Sequence, residues 1–158
     1  MTSQVRCMLL PMSSISLVIP SSAVAEIIGY SKPQKLNDTS DWFLGVVLWR
    51  GAYVPVISVE ELCSLDTVHL GNRSRIGVIY NPEKDEDLPY IGLHMQDIPR
   101  AYLAESDSME SGSDDGLSPY LLSRVDNDQF QRAIPNLDAM FAELKPQFSE
   151  EVIARLDQ

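Results

Sequence analysis

Two histidines and two cysteines, His69, His94, Cys7 and Cys63, are the residues of this chain best equipped for nucleophilic or metal chemistry. None stands at metal-motif spacing from another, so no metal site is expected. A thiolate at Cys63 with either histidine as base would make a small cytosolic thiol-dependent enzyme, which is the alternative function for this chain. Against it, Cys63 follows Val59 and Leu62 at what reads as the end of a strand or helix, where cysteine behaves as a small hydrophobe. The motifs GxSxG, GxxxxGKS/T, HExxH and CxxC are absent. Trp42 and Trp49 would suit a stacking platform, but at a loop end and inside a strand they more often fill a core or line an interface. Asp114 and Asp115 lack the oxygen spacing of an EF-hand loop. The expectation is a protein that is not an enzyme and holds no cofactor.

One charged residue stands out. Arg50 lies between Val46, Val47, Leu48 and Trp49 on one side and Val54, Val56 and Ile57 on the other. An arginine in the middle of an apolar hairpin must be paired, or snorkel to a surface with another purpose. Glu26, set in the apolar run VAEII, is the candidate partner. A buried or half-buried ion pair and a direct contact role are both open.

The elements that would position these residues are mostly strands. VRCMLL (5–10), ISLVIP (15–20), VAEIIGY (24–30), GVVLWR (45–50), YVPVISV (53–59) and RIGVIYN (75–81) have strand length and turn residues at their ends. YIGLHMQDIPRAYLA (90–104) continues the pattern with a break at Pro99, and PYLLSRVD (119–126) with QFQRAIPN (129–136) predicts a closing pair. Many short, closely spaced strands indicate an all-β barrel or sandwich. SKPQKLNDTSDW is a surface loop that exposes Lys32, Lys35, Asp38 and Asp41. Arg50-Gly51 is the strongest hairpin signal, because glycine supplies a positive φ without steric cost. The turn at 82–89 separates two β-rich halves.

Residues 105–118 carry five acids and five serines with no basic or aromatic residue, too little apolar area to offset ordering, so a mobile acidic loop is expected inside a single domain spanning 1–158. Asn136 offers an N-cap to LDAMFAEL, and Ser149 to a second helical stretch, giving a C-terminal helical segment at 137–158.

Composition narrows the partners. A formal net charge of −11 repels phosphate backbones and anionic lipid, which disfavours nucleic acid and bare membrane. With 44% hydrophobic residues and no apolar run near the roughly 18 residues that span a bilayer, direct membrane insertion is not expected. Two cysteines make no disulfide framework, and the broken apolar start makes no secretory signal, so a reducing cytoplasm is the expected location.

The run GVVLWRGAYVPVISVEEL resembles the signature of CheW-like adaptor domains, with Gly45, Arg50, Gly51, Val54, Pro55, Val56 and Ile57 in register. VAEIIGY and TSDWFLGVV upstream, and RAIPNLDAMFAEL downstream, extend the likeness, strongest over 24–62. The resemblance implies two small intertwined five-stranded β-barrels around a shared core, and no cofactor. It also implies an adaptor that binds the regulatory domain of a CheA-type histidine kinase and the cytoplasmic tip of a methyl-accepting chemoreceptor, peripheral at receptor arrays. Carried over by position, Val24, Glu26, Gly45 and Arg50 match places associated with partner binding or with an ion pair supporting it. After residue 82 the sequence departs from the common form. With the acidic 105–118 segment and PYIGLHMQDIPRAY, it is more similar to the accessory, ChpC-type members of pilus-linked, twitching-motility clusters.

Overall fold

A computed structural model describes residues 4–13, 15–65, 73–105, 119–124 and 132–148. The first strands are β1 (Gln4–Pro11), β2 (Ser16–Pro20), β3 (Val24–Gly29), β4 (Phe43–Trp49) and β5 (Ala52–Ile57), followed by the one-turn helix α1 (Val59–Leu62). Then come β6 (Arg75–Tyr80), β7 (Tyr90–Met95), β8 (Arg100–Glu105), β9 (Leu121–Arg124), β10 (Arg132–Pro135) and helix α2 (Leu137–Leu144). They build two five-stranded sheets, ordered β8-β1-β2-β10-β9 and β3-β6-β7-β5-β4.

Chain order and sheet membership diverge. The first sheet takes β1 and β2 from one end of the domain and β8 to β10 from the other, with β10 lying parallel to β2. The 82–89 turn therefore does not divide two halves, as the sequence suggested: it is the β6–β7 hairpin connection inside the second sheet, where Tyr80 pairs with Tyr90. Neither ladder closes among the described residues, so the expected barrels are open sheets. The second sheet nevertheless curls until its edges, β3 and β4, touch through side chains.

Three apolar clusters follow from period-two alternation across sheets covered on both faces. On β1, Cys7 with its neighbours Val5 and Leu9 faces a small cluster inside the first sheet, while Leu10 faces the main core. Val47, Trp49, Val54, Val56, Ile76 and Val78 fill the inside of the second sheet. The main core lies between the sheets, mixing Leu17 and Ile19 with Ile57, Ile79, Leu93 and Met140, Phe141 and Leu144 of α2. Asn136 caps α2 as expected, its Oδ1 accepting from Ala139 N–H at 3.2 Å. Ser58 ends β5 early and caps α1 by accepting from Glu61 N–H. The acidic 106–118 stretch and the second helical stretch from 149 lie outside the described residues.

Candidate functional site

The β4–β5 hairpin sets the site. Trp49 pairs with Ala52, and between them Arg50 (φ 48°) and Gly51 (φ 77°) are both left-handed, the requirement of a type I′ turn. Arg50 is thus at the tip of a turn and not in the middle of a strand, and its side chain is 67% exposed instead of buried. Its guanidinium lies over the Trp49 ring, 4.7 Å from the centroid.

Glu26 reaches the same place from the opposite edge of the sheet. A bulge between Val24 and Glu26 breaks the β3–β6 register and sets the carboxylate facing β4. One carboxylate oxygen accepts the Trp49 Nε1–H at 2.5 Å, and the other stands 3.6 Å from Arg50 Nη2. Trp49 also meets Tyr90 edge to face at 5.0 Å, and Tyr90 meets Tyr80 at 5.6 Å. The result is a fixed cluster in which one carboxylate holds both an indole and a guanidinium across the seam of a curled sheet. Leu48, two residues before Arg50, leaves 66% of its surface exposed beside it in sequence.

Of the four residues singled out from the sequence, Glu26 and Arg50 come together, and the other two stand elsewhere on the same two edge strands. Val24 is half-buried, packs against the main core and pairs with Ile79. Gly45 is buried at the far end of β4, at φ 134°, where a Cβ would sit 2.3 Å from the Gln34 carbonyl oxygen. That close approach lets Gln34 and Val46 exchange two backbone hydrogen bonds, at 2.8 and 2.9 Å. The register shift there also turns Leu44 and Val46 to opposite clusters.

Among the described residues, the thiol chemistry does not assemble. Neither ring nitrogen of His94 has a hydrogen-bond partner, so no Cys63–His94 dyad forms, and His69 lies outside the described residues. Burial pushes the Cys7 thiol up, away from thiolate character.

The family model described as CheW-like domain matches residues 6–143. The chain belongs to the CheW-like domain family. The crystal structure of the scaffolding protein TtCheW from Thermoanaerobacter tengcongensis has the same fold as this CheW-like domain, with a TM-score of 0.75 at 15% identity, covering 88% of this chain and 93% of that one. No curated protein matches the sequence. Among the described residues, no helix of this CheW-like domain is long and apolar enough to cross a membrane.

Trp49 is the member of the cluster that sequence reasoning passed over. It reads as core, and half of that is right: its ring fills the second sheet. Its Nε1–H had to find an acceptor once buried, and the only acid in the facing strand β3 is Glu26.

Proposed function

We propose that this CheW-like domain is a non-catalytic adaptor that couples a CheA-type histidine kinase to chemoreceptors, through the regulatory domain of the kinase and the cytoplasmic tip of the receptor. It would work in the cytoplasm, peripheral at receptor arrays, with Val24, Glu26, Gly45 and Arg50 serving that binding. The ChpC-like departures after residue 82 favour a pilus-linked, twitching-motility system over a flagellar one.

The observation that carries the reading is the energetic imbalance at Arg50. An exposed pair such as Glu26–Arg50 contributes about 0–1 kcal/mol, and an exposed cation–π contact about 0.5–1. Holding a residue with a Cβ in the left-handed region costs roughly 1–2 kcal/mol, and glycine or asparagine would sit there more cheaply. On balance, Arg50 adds little to stability. A residue kept exposed at such a cost, braced by Trp49 and Glu26, is suited to contacting something else. In this reading Val24 and Gly45 act by shaping the two edge strands, while Arg50, Glu26 and the exposed Leu48 meet the partner.

The test is titration of the purified chain with a kinase regulatory domain and with a receptor-tip fragment. Arg50→Glu sets like charge opposite Glu26 and is expected to weaken one of the two by about tenfold or more, with the urea midpoint nearly unchanged. Unchanged affinity for both partners would sink the role given to the pair.

A further inference from the structure

His94 has no part in the cluster at Arg50, and it is a titratable group shut inside the second sheet. It stands opposite Ile76 of β6, so it shares the inner face of that sheet with the apolar cluster there. It is 1% exposed, and neither Nδ1 nor Nε2 has a hydrogen-bond partner. The neutral ring bears this at a modest cost, but an imidazolium would set a unit charge and two N–H donors against apolar side chains. Burial accordingly pushes the His94 pKa below the ordinary histidine value.

The cover over the ring is light. Tyr30, the residue after β3, meets the imidazole edge to face at 5.4 Å, and a cavity of about 280 Å³ between Tyr30, Leu44 and Glu61 adjoins it. Within 30–35, Ser31, Lys32, Gln34 and Lys35 are exposed. Among the described residues, this segment is held by Tyr30, by the buried Pro33 and by the two backbone hydrogen bonds between Gln34 and Val46 of β4. A covering segment with few buried contacts opens at the low end of a protein's stability range. The titratable groups around the ring are Tyr30, Lys32 and Lys35 of this segment and Glu61 of α1. β4 and β5 contain no charged residue, and Arg75 of β6, next to Ile76, takes the opposite face of the sheet.

We propose that His94 is a proton-operated latch: in acid, the imidazole is held outside the sheet as imidazolium, and residues 30–35 come away from β4. The ring nitrogens are closed to water, so the proton is taken up from solvent only when the segment has opened. Once charged, the ring cannot return to its apolar seat at the same cost, Lys32 and Lys35 repel it, and Glu61 draws it toward the cavity. The sign follows from linkage. The open form binds the proton better than the closed one, so opening is indifferent to pH above the ordinary histidine pKa of about 6.5 and becomes about tenfold more favourable for each unit below it, until the closed-state pKa is reached. Glu26 and Trp49 hold β3 to β4 at one end of their seam, and Tyr30 and Leu44 stand at the other. Acid would therefore loosen the two strands that carry Glu26 and Trp49, next to Arg50. The latch itself rests on the fold and not on which partner that surface meets.

Amide hydrogen exchange on the full chain, corrected for the pH dependence of exchange itself, reads the latch directly. Between about pH 7.5 and about pH 5.5, protection of the Gln34 and Val46 amides is expected to fall about tenfold, with the fall starting near pH 6.5, while the amides of β1 and β2 keep theirs. His94→Phe preserves a ring against Tyr30 and cannot ionise, so its Gln34 and Val46 amides should hold the same protection at both pH values. His94→Gln, smaller and equally unable to ionise, should give the same flat response and serves if the phenylalanine variant does not fold. The wild-type comparison of the two sheets needs no variant. An equal fall in β1 and β2 would mean that His94 titrates only by unfolding of the whole domain, and would overturn the latch. So would unchanged protection at Gln34 and Val46, a fall that starts only in the carboxylate range, or the wild-type fall persisting in a folded variant.

Discussion

Glu60 is a carboxylate that the fold has withdrawn from water. It is 1% exposed, its Oε1 accepts the Ser13 N–H at 2.5 Å, and its Oε2 has no partner. Burial pushes its pKa above the ordinary glutamate value; the hydrogen bonds from Ser13 pull the other way and neighbouring Glu61 adds to the rise. A raised folded pKa means that the folded state holds the proton more tightly than the unfolded chain. Glu60's contribution is therefore fully present below the unfolded pKa and lost as pH rises through the folded one. Glu60→Gln keeps an acceptor for Ser13 and removes the ionisation. Urea midpoints should show the variant gaining on the wild type as pH rises from the ordinary glutamate range through the folded pKa of Glu60 and levelling off above it, and a gap independent of pH would refute this. Sequence could not reveal it, because SVEEL gives no sign of which glutamate turns inward; the cap on Ser58 decides that by starting α1 there. Arg50 and Glu26 were legible as partners, since two charges in apolar runs have few other options. His94 was not, because alternation in YIGLHM says only that it shares a face with Gly92.

Among the elements, β4 carries the most constraint on its backbone. Its glycine-dependent place, Gly45, differs in kind from Gly51 in the turn that follows it. Gly45 needs both a positive φ and the absence of a Cβ, with the Gln34 carbonyl 2.3 Å from where one would be, whereas Gly51 has a positive φ and open space around it. Gly45→Ala should cost roughly 3 kcal/mol or more and should remove hydrogen-exchange protection from the Gln34 and Val46 amides. Gly51→Ala should cost about 1 kcal/mol and leave those amides protected. Equal costs in urea unfolding would show that the close approach is not what fixes the glycine. At this scale the sequence was largely readable. The Arg50-Gly51 turn, the break at Pro99 and the Asn136 cap all rest on local chemistry, and local chemistry is visible in a run of residues. The end of β5 was misjudged by two residues, because Ile57 and Val59 carry the strand alternation across Ser58, whereas Ser58 works as a helix cap and Val59 opens α1.

For the whole molecule, the two sheets behave as one body because their apolar faces share a core and polar links cross between them. Ser13 meets Glu60, Gln96 N–H donates to the Pro11 carbonyl at 2.9 Å, Gln147 and Ser40 exchange hydrogen bonds at 2.7 and 2.8 Å, and Lys145 pairs with Asp85 at 2.5 Å. Phe141 of α2 sits in that shared core, so Phe141→Ala should cost about 3–5 kcal/mol and lower the stability of both sheets together. Tryptophan fluorescence reports the second sheet and amide exchange on β1 and β2 the first; separate midpoints would show two independent units. Which strands share a sheet was not legible. Hydrophobic periodicity is a property of a few neighbouring residues, and the parallel pairings of β10 with β2 and of β5 with β7 join segments far apart in the chain. The resemblance implied intertwined halves; the open ladders sharpen that to two sheets, one of them sealed by Glu26, Trp49 and Arg50.

The divided membership of the first sheet bears on how the protein is made. As the ribosome releases the chain, β1 and β2 emerge early, yet Ser16 has no partner on its free side until Arg132 follows, and Gln4 none until Glu105. The strands of the second sheet emerge consecutively, so that β4 can pair with β5 at once and β3 waits only as far as β6. Leu10, Leu17 and Ile19 are meanwhile left without most of the core they end in. A nascent chain with a waiting apolar hairpin is a ready client for a holding chaperone, and its maturation is paced by the last strands to be translated.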